Sequence, residues 1–173
     1  DDRRGKDRRK GQRGRRDTGH TDAPESTLLG TLGIDPWKGW GDGVTVAVID
    51  SGIAPTPAFA GRIKAFYDFT RGGRPARPSD DYGHGTHVAG LIGGRQASGD
   101  AAYGGIAPAV NFVGPKVLDA EGRGTTTDVI RAIEFATARR RALGIDIINL
   151  SLGHPIFEAA ATDPLVQAVE RAV

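Results

Sequence analysis

Asp50 and His84 are the residues of this 173-residue chain whose types and surroundings best fit acid–base chemistry. Asp50 ends the apolar, β-branched run over residues 44–49, and His84 opens the glycine-rich segment His-Gly-Thr-His. A carboxylate at the end of a buried strand can orient an imidazole, and an oriented imidazole can take up a proton near neutral pH. The pair therefore predicts two of the three groups of a nucleophile-activating triad.

Five short motifs occur in a fixed order around these two residues. They are Val-Ile-Asp-Ser-Gly at 48–52, His-Gly-Thr-His-Val-Ala-Gly at 84–90, Gly-Gly-Ile-Ala-Pro at 104–108, Lys-Val-Leu-Asp at 116–119 and Asn-Leu-Ser-Leu-Gly at 149–153. From about Gly41 onward the chain thus resembles the subtilisin-like serine proteases, peptidase family S8, whose triad runs Asp, His, Ser. The resemblance implies a serine endopeptidase acting through an acyl-enzyme, with Asp50 and His84 as catalytic residues.

The nucleophile motif of that family, Gly-Thr-Ser-Met-Ala, is absent, and so is the Asn-bearing segment that supplies its oxyanion donor. The chain has no Met and stops inside a helical pattern, so we expect a piece of a longer protein, truncated before the catalytic Ser and inactive by itself. Endopeptidase activity is then expected of the full-length protein. The alternative is a non-catalytic protease-like binding domain, a pseudoprotease, whose Arg-rich tail contacts anionic partners.

The resemblance assigns two glycine-containing segments to substrate binding. They are Gly122, Arg123 and Gly124, and Ser151, Leu152 and Gly153. Both would flank a polypeptide as extended strands and pair with its main chain. Such pairing depends little on the amino-acid sequence of the polypeptide. The other interpretation is that Gly122 and Gly124 only form the turn before a helix.

No metal or other cofactor is predicted. The resemblance allows calcium near the loops after the catalytic Asp and after the His helix, but residues 57–59 are Pro-Ala-Phe and Asp100 alone offers a carboxylate in the later loop. His84 and His87 lack the four-residue spacing, with an intervening Glu, that is usual in zinc-binding helices. We expect His87 to be a packed, hydrogen-bonded support. The absence of Cys excludes thiolate metal sites and disulfides.

The formal charge of +2 is concentrated in an N-terminal tail. Residues 1–27 hold 9 Lys or Arg and 6 Asp or Glu, whereas the remainder holds 14 and 15. With Ala23 as its only apolar side chain, the tail cannot offset an ordering cost of about 1–2 kcal/mol per residue. We therefore predict a basic disordered tail or linker over 1–27 and the N-terminal part of a subtilisin-like catalytic domain over 28–173.

Composition also bears on partners and location. Nucleic-acid binding is not favoured, because no aromatic residue interleaves with the arginines as a base-stacking surface requires. The chain has neither a Walker loop nor a dinucleotide-binding glycine motif. No apolar run approaches the roughly 18 residues of a membrane span. An extracellular, secreted location follows from the resemblance only, and the oligomeric state is not indicated.

Alternating strand and helix patterns should position these residues. Buried strands are predicted over 44–49, 110–118 and 145–150, the second with a local distortion at Gly114-Pro115. Helices are predicted over 84–94, over 126–142 after a capping box, and from 163 onward.

This order of elements implies an α/β fold, a three-layer parallel sheet with helices on both faces, incomplete at the C-terminal side. Asp50 and Ser151 both follow strands, at the edge where such sheets bind ligands. Gly85 and Gly90 are unfavourable inside a helix, so we expect both to allow close approach to neighbouring backbone.

Overall fold

The computed structural model describes residues 27–34, 40–95, 104–155 and 158–173. In these ranges the elements are α1 (Thr27–Leu32), β1 (Thr45–Ile49), β2 (Ile63–Asp68), β3 (Arg74–Pro75), α2 (His84–Gly93), β4 (Asn111–Lys116), α3 (Thr126–Leu143), β5 (Ile147–Leu150) and α4 (Pro164–Ala172). Nearly all of the predicted tail lies outside the described residues, so the division at residue 27 stays a prediction. The sequence patterns did not predict α1, β2 or β3.

The five strands form one sheet in the order β3-β2-β4-β1-β5. Every neighbouring pair is parallel except β2 with the two-residue β3, which is antiparallel. The predicted α/β class is confirmed, and the sheet is parallel in all pairs but one. The departure is confined to β3, at one edge of the sheet.

β1 is buried along its whole length because helices cover both faces of the sheet. Val46 and Val48 share a core cluster with Ala89 of α2, whereas Ala47 shares another with Ala136 of α3. Successive side chains of a strand point to opposite faces, so an unbroken apolar run suits this two-sided position. The three predicted layers are confirmed.

The two long helices lie on opposite faces of the sheet and belong to successive connections of the chain. After β1 the chain first forms β2 and β3, and α2 then leads from β3 to the interior strand β4. α3 leads from β4 past β1 to β5. Ligands of such sheets bind beyond the carboxyl ends of the strands, which here include the end of β1.

β4 continues through Gly114 and Pro115, but its pairing with β1 is interrupted there. Pairing stops after Val113 and resumes as a single bridge between Asp50 and Lys116. The gap falls at Pro115, which has no N–H to donate to a neighbouring strand. The predicted distortion is therefore confirmed on the β1 side of the strand.

Helix ends follow the capping signals in the sequence. The Thr125 hydroxyl accepts the Asp128 amide at 3.1 Å at the start of α3, and Gly144 ends that helix in a left-handed conformation with φ 64°. The Asp163 carboxylate accepts the Leu165 amide at 2.8 Å at the start of α4. These predicted helices are confirmed. Across the described ranges, no helix combines the length and hydropathy required to cross a bilayer.

β5 is the end strand of the described sheet and pairs only with β1. The expectation of a buried strand over 145–150 is wrong in two respects. The strand begins at Ile147, whose side chain is 52% exposed, and Ile145, which precedes it, is the residue that enters the core. With one neighbouring strand instead of two, β5 has an open side.

Candidate active site

Asp50 lies at the carboxyl end of β1 with none of its surface exposed. Its main chain is tied to β4, because its amide donates to Pro115 O at 3.3 Å and its carbonyl accepts from Val117 N at 2.8 Å. Its side-chain Oδ1 accepts the Ser51 amide at 2.7 Å. The backbone and the carboxylate are both fixed, and burial shields the charge from water.

His84 is the first residue of α2 and is in hydrogen-bond contact with Asp50. Its Nδ1 lies 2.8 Å from Asp50 Oδ1 and 3.0 Å from Oδ2. A carboxylate can only accept, so Nδ1 carries the proton and Nε2 of the neutral ring keeps its lone pair. The His84 side chain is 41% exposed while that of Asp50 is 0% exposed. The arrangement is a buried acid that orients a solvent-accessible base.

Gly85 allows α2 to begin this close to β1. A Cβ at Gly85 would lie 2.2 Å from Gly52 O and 3.0 Å from the Asp50 Cβ, so the predicted close approach is confirmed here. The same expectation for Gly90 is wrong, because a Cβ there would have no atom within 4 Å. The second close approach of α2 occurs at Gly93 instead, where a Cβ would lie 2.8 Å from Ala107 O.

Asp80 is a site residue that the sequence reasoning missed. The N-cap of α2 is Gly83, which has no side chain to cap the helix. The Asp80 carboxylate supplies the capping hydrogen bonds instead. Its Oδ1 accepts the Gly83 amide at 2.8 Å, and its Oδ2 accepts the Thr86 amide at 2.8 Å and the Thr86 hydroxyl at 2.5 Å. The same hydroxyl accepts the Ala54 amide at 2.9 Å, which joins the helix start to the loop after Asp50. In the sequence, the feature that could have predicted this cap is an Asp three residues before the glycine that begins the helix.

The ionisation of Asp80 follows from these contacts. Partial burial acts to raise the pKa of the carboxyl, but hydrogen bonds from Thr86, Gly83 and Ser51 outweigh it and leave that pKa below its ordinary value of 3.8. Asp80 is therefore a negative charge at the N-terminus of α2, where the helix dipole favours an anion.

His87 lies one turn after His84, and its side chain is exposed. The expectation that it is a packed support is wrong, since its ring has no hydrogen-bond partner among the described residues. Within those residues no group of three or more His, Cys, Asp or Glu could hold a metal ion. A position near His84 therefore does not by itself give His87 a role in the site.

The turn after Asp50 packs against a buried arginine. Pro57–Phe59 forms a short 3-10 helix, and the Ala58 carbonyl accepts from a guanidinium nitrogen of Arg62 and from the Arg95 amide. Arg62 is 5% exposed and also donates to Val110 O at 2.9 Å. Burial, with Arg95 nearby, lowers the pKa of Arg62. A buried cationic side chain therefore lies against this turn and binds one of its carbonyl oxygens.

The predicted substrate segment 122–124 lies in the loop after β4. Asp119 Oδ1 accepts the Arg123 amide at 2.8 Å and the Glu121 amide at 3.0 Å, and the Arg123 amide is the main reason that the pKa of Asp119 is lowered. A Cβ at Gly124 would lie 2.4 Å from Val117 O, so that glycine is required by close approach. The loop is a closed turn with Arg123 exposed.

Tyr82 connects this loop to His84. A Cβ at Gly122, which has φ 73°, would lie 2.5 Å from Tyr82 Cζ, so the ring packs directly against this glycine. The Tyr82 and His84 ring centroids are 6.5 Å apart. The structure therefore brings the first segment next to the base, through an aromatic residue that the sequence reasoning did not single out.

The second segment, Ser151 to Gly153, follows β5. Ser151 and Gly153 are exposed, whereas Leu152 packs against the core cluster beneath α3 and α4. The adjoining His154 lies 3.1 Å from the Asp163 carboxylate, measured from Nε2 to Oδ2, which ties the segment to the start of α4. Because β1 lies between β4 and β5, the loops after those two strands lie on either side of the one that carries Asp50.

Similarity to known proteins agrees with this geometry. A sequence profile described as the Subtilase family matches residues 41–173. The chain belongs to the subtilase family. Serine protease AprX of Bacillus subtilis (strain 168) is 42% identical to it over 137 residues, which is 76% of this chain and 30% of AprX.

Solved structures show the same relationship. A cold-adapted subtilisin-like serine proteinase has 37% identity and a TM-score of 0.59, covering 76% of this subtilase chain and 44% of its own. Sphericase has 29% identity and a TM-score of 0.68, covering 84% and 47%. This chain thus spans less than half of each of these three proteins.

Proposed function

We propose that this subtilase chain supplies the general base of a serine endopeptidase, which is the activity of the full-length protein. The observation that carries the proposal is the 2.8 Å contact between His84 Nδ1 and a carboxylate with no exposed surface. A surface His–Asp pair would have both groups in water, whereas here only the imidazole is accessible.

The chemistry follows from the order of these contacts. Asp50 holds the Nδ1–H tautomer of His84, so Nε2 is free to take the proton of a serine hydroxyl as that oxygen attacks the peptide carbonyl. The resulting imidazolium is stabilised by the buried carboxylate and returns its proton to the leaving amine. Water then hydrolyses the acyl-enzyme by the same route. The chain contains no Gly-Thr-Ser-Met-Ala motif, so the serine of the mechanism is assigned to the full-length protein.

A polypeptide is the proposed substrate. Gly122 to Gly124 and Ser151 to Gly153 follow the two strands that flank β1, and main-chain groups of both segments that have no internal partner would pair with an extended peptide main chain. Recognition of this kind depends on backbone hydrogen bonds more than on side chains. The family also supports a proposed location outside the cell, which is tested by finding the labelled enzyme in the culture medium of the source organism and not in its cytosol.

An activity probe tests the proposal directly. The full-length protein should react with a fluorophosphonate, and His84→Ala should abolish the labelling because the serine loses its base. His87→Ala is the matched control, since His87 is an exposed histidine on the same helix, and it should label like the wild type. Absence of labelling in the wild type, or equal labelling after His84→Ala, would instead favour the pseudoprotease alternative.

A further inference from the structure

Lys116 is a buried lysine beside the candidate active site that the proposed mechanism does not use. It ends the interior strand β4, is 4% exposed, and forms a single bridge with Asp50 across the sheet. Taking an ammonium out of water is unfavourable unless it is hydrogen-bonded or paired. A methionine or leucine would fill the same position without that desolvation cost. The contacts of the ammonium must therefore account for a lysine at this position.

The ammonium has two contacts in the described part of the chain. Lys116 Nζ donates to Ser51 O at 2.6 Å. It also lies 3.7 Å from Asp81 Oδ2, but the Asp81 side chain is 63% exposed and the Lys116 side chain is only 6% exposed. An ion pair with one solvated partner contributes little. The short, buried bond to Ser51 is therefore the dominant interaction.

Ser51 is fully buried and connects both members of the acid–base pair. Its amide donates to Asp50 Oδ1 at 2.7 Å, and its hydroxyl accepts the Gly85 amide at 2.9 Å, one residue after His84. Its carbonyl accepts from Lys116. Ser51 thus binds the Asp50 carboxylate through its amide and the start of α2 through its hydroxyl. Lys116 in turn binds the Ser51 carbonyl.

We propose that Lys116 is a positioning residue for the Asp50–His84 pair, acting through Ser51. Without the ammonium, the Ser51 carbonyl would be a buried acceptor with no donor, which is unfavourable. Rotation of the turn toward another donor would carry the Ser51 amide away from Asp50 and the hydroxyl away from Gly85. The kinetic part of this inference rests on the proposed endopeptidase function, whereas its structural part does not.

The test is Lys116→Met in the full-length protein, with two readouts. The variant should lower kcat about 10- to 100-fold, the effect expected of misplacing a catalytic group by about 1 Å, and leave KM within about twofold because no substrate contact is lost. In ¹H NMR, the far-downfield resonance of the His84 Nδ1 proton should broaden or shift. Lys64→Met, the same substitution at an exposed lysine of β2, should change neither readout.

Three outcomes would overturn the proposal. They are unchanged kcat and an unchanged His84 resonance in Lys116→Met, a KM effect without a kcat effect, and an equal loss of kcat in Asp81→Asn, which would make the exposed ion pair the active contact. If Lys116→Met does not fold, Lys116→Leu replaces it, because leucine also has no hydrogen-bond donor. It carries the same expectations and the same contradicting results.

The two proposals fail in different ways. If the wild-type protein does not hydrolyse peptides, yet Lys116→Met still perturbs the His84 resonance, the endopeptidase function is wrong and the positioning role stands. If the wild type is active and Lys116→Met is indistinguishable from it in both readouts, the positioning role is wrong and the function stands.

Discussion

At the scale of single residues, the geometry of the site depends on the hydrogen bonds that the buried Asp50 carboxylate accepts. Asp50 accepts from the Ser51 amide and from the His84 ring, and neither bond competes with solvent because the carboxylate is fully buried. A carboxylate in this position fixes one imidazole tautomer. An amide of the same size could not, because its NH₂ group is a donor and would favour the other tautomer.

Asp50→Asn should therefore preserve the fold and remove the base. In the full-length protein we expect kcat to fall about 10⁴-fold, the loss associated with the wrong histidine tautomer, with KM little changed. Steady-state kinetics on a peptide substrate checks this. A loss of less than about tenfold would show that Asp50 does not control the tautomer.

Asp80 gives a prediction about pH. Its pKa is lower in the folded chain than its ordinary value, so its contribution to stability is present above the unfolded value of about 4 and is lost as pH falls through the lower, folded value. Asp80→Ala should cost about 1 kcal/mol at pH 7, the usual cost of losing a helix N-cap, and much less in strong acid.

Urea unfolding of the wild type and the variant at pH 7 and at pH 2 measures this difference. Asp81→Ala, at the exposed neighbouring carboxylate, is the control and should shift stability by less than about 0.5 kcal/mol. An equal cost of Asp80→Ala at both pH values would contradict the ionised cap.

At the scale of elements, the sequence predicted what is periodic or locally capped and missed what is not. α3 and α4 carry their capping residues next to their first turn, and β1 is one apolar run, so all three could be predicted. β2 could not, because it includes the exposed Lys64 and only two of its six residues are buried. The cap of α2 was missed because Asp80 acts from outside the usual capping position.

The same division applies to the site. The motifs around Asp50 and His84 predicted those two residues, and the structure places them in contact. Lys116 was visible only as part of a motif, since its bond to Ser51 spans 65 residues and local patterns carry no information about such a contact. Tyr82 was missed for the same reason, because its partner Gly122 lies in a different loop.

Two glycines of α2 give opposite predictions for one substitution. Gly85→Ala places a Cβ 2.2 Å from Gly52 O, and we expect a loss of about 1–3 kcal/mol or more from overpacking against backbone. Gly90→Ala meets no atom within 4 Å, and should stabilise the chain by about 0.5–1 kcal/mol through helix propensity. Thermal unfolding of both variants measures the two changes in stability. Destabilisation by Gly90→Ala would contradict the open space at that position.

At the scale of the whole molecule, the two segments proposed to bind a peptide and the proposed base are all carried by this chain, and the proposed nucleophile is not. Loops after β4, β1 and β5 lie side by side at one edge of the sheet. In the proposed mechanism, peptide binding and proton transfer are thereby separated from nucleophilic attack along the sequence. The chain can hold the geometry of the pair without performing the reaction.

The purified 173-residue chain should therefore show no peptide hydrolysis above background. Loss of the nucleophile from such a triad removes up to about 10⁶ of the rate, because its groups act as a unit. A fluorogenic peptide assay at high protein concentration measures this. Turnover that disappears in His84→Ala would overturn the prediction and require a nucleophile within these residues.

The order of the strands also determines when the pair can form as the protein folds. Thr45 lies beside Asp146, 101 positions further along the chain, and the β4 partners of β1 lie between them in sequence. Folds dominated by such distant pairings have high contact order and fold slowly, because loop closure precedes any gain from contact. During synthesis on the ribosome, the edge of β1 that faces β5 would therefore stay unpaired until β5 has emerged, although β4 and both covering helices are made earlier.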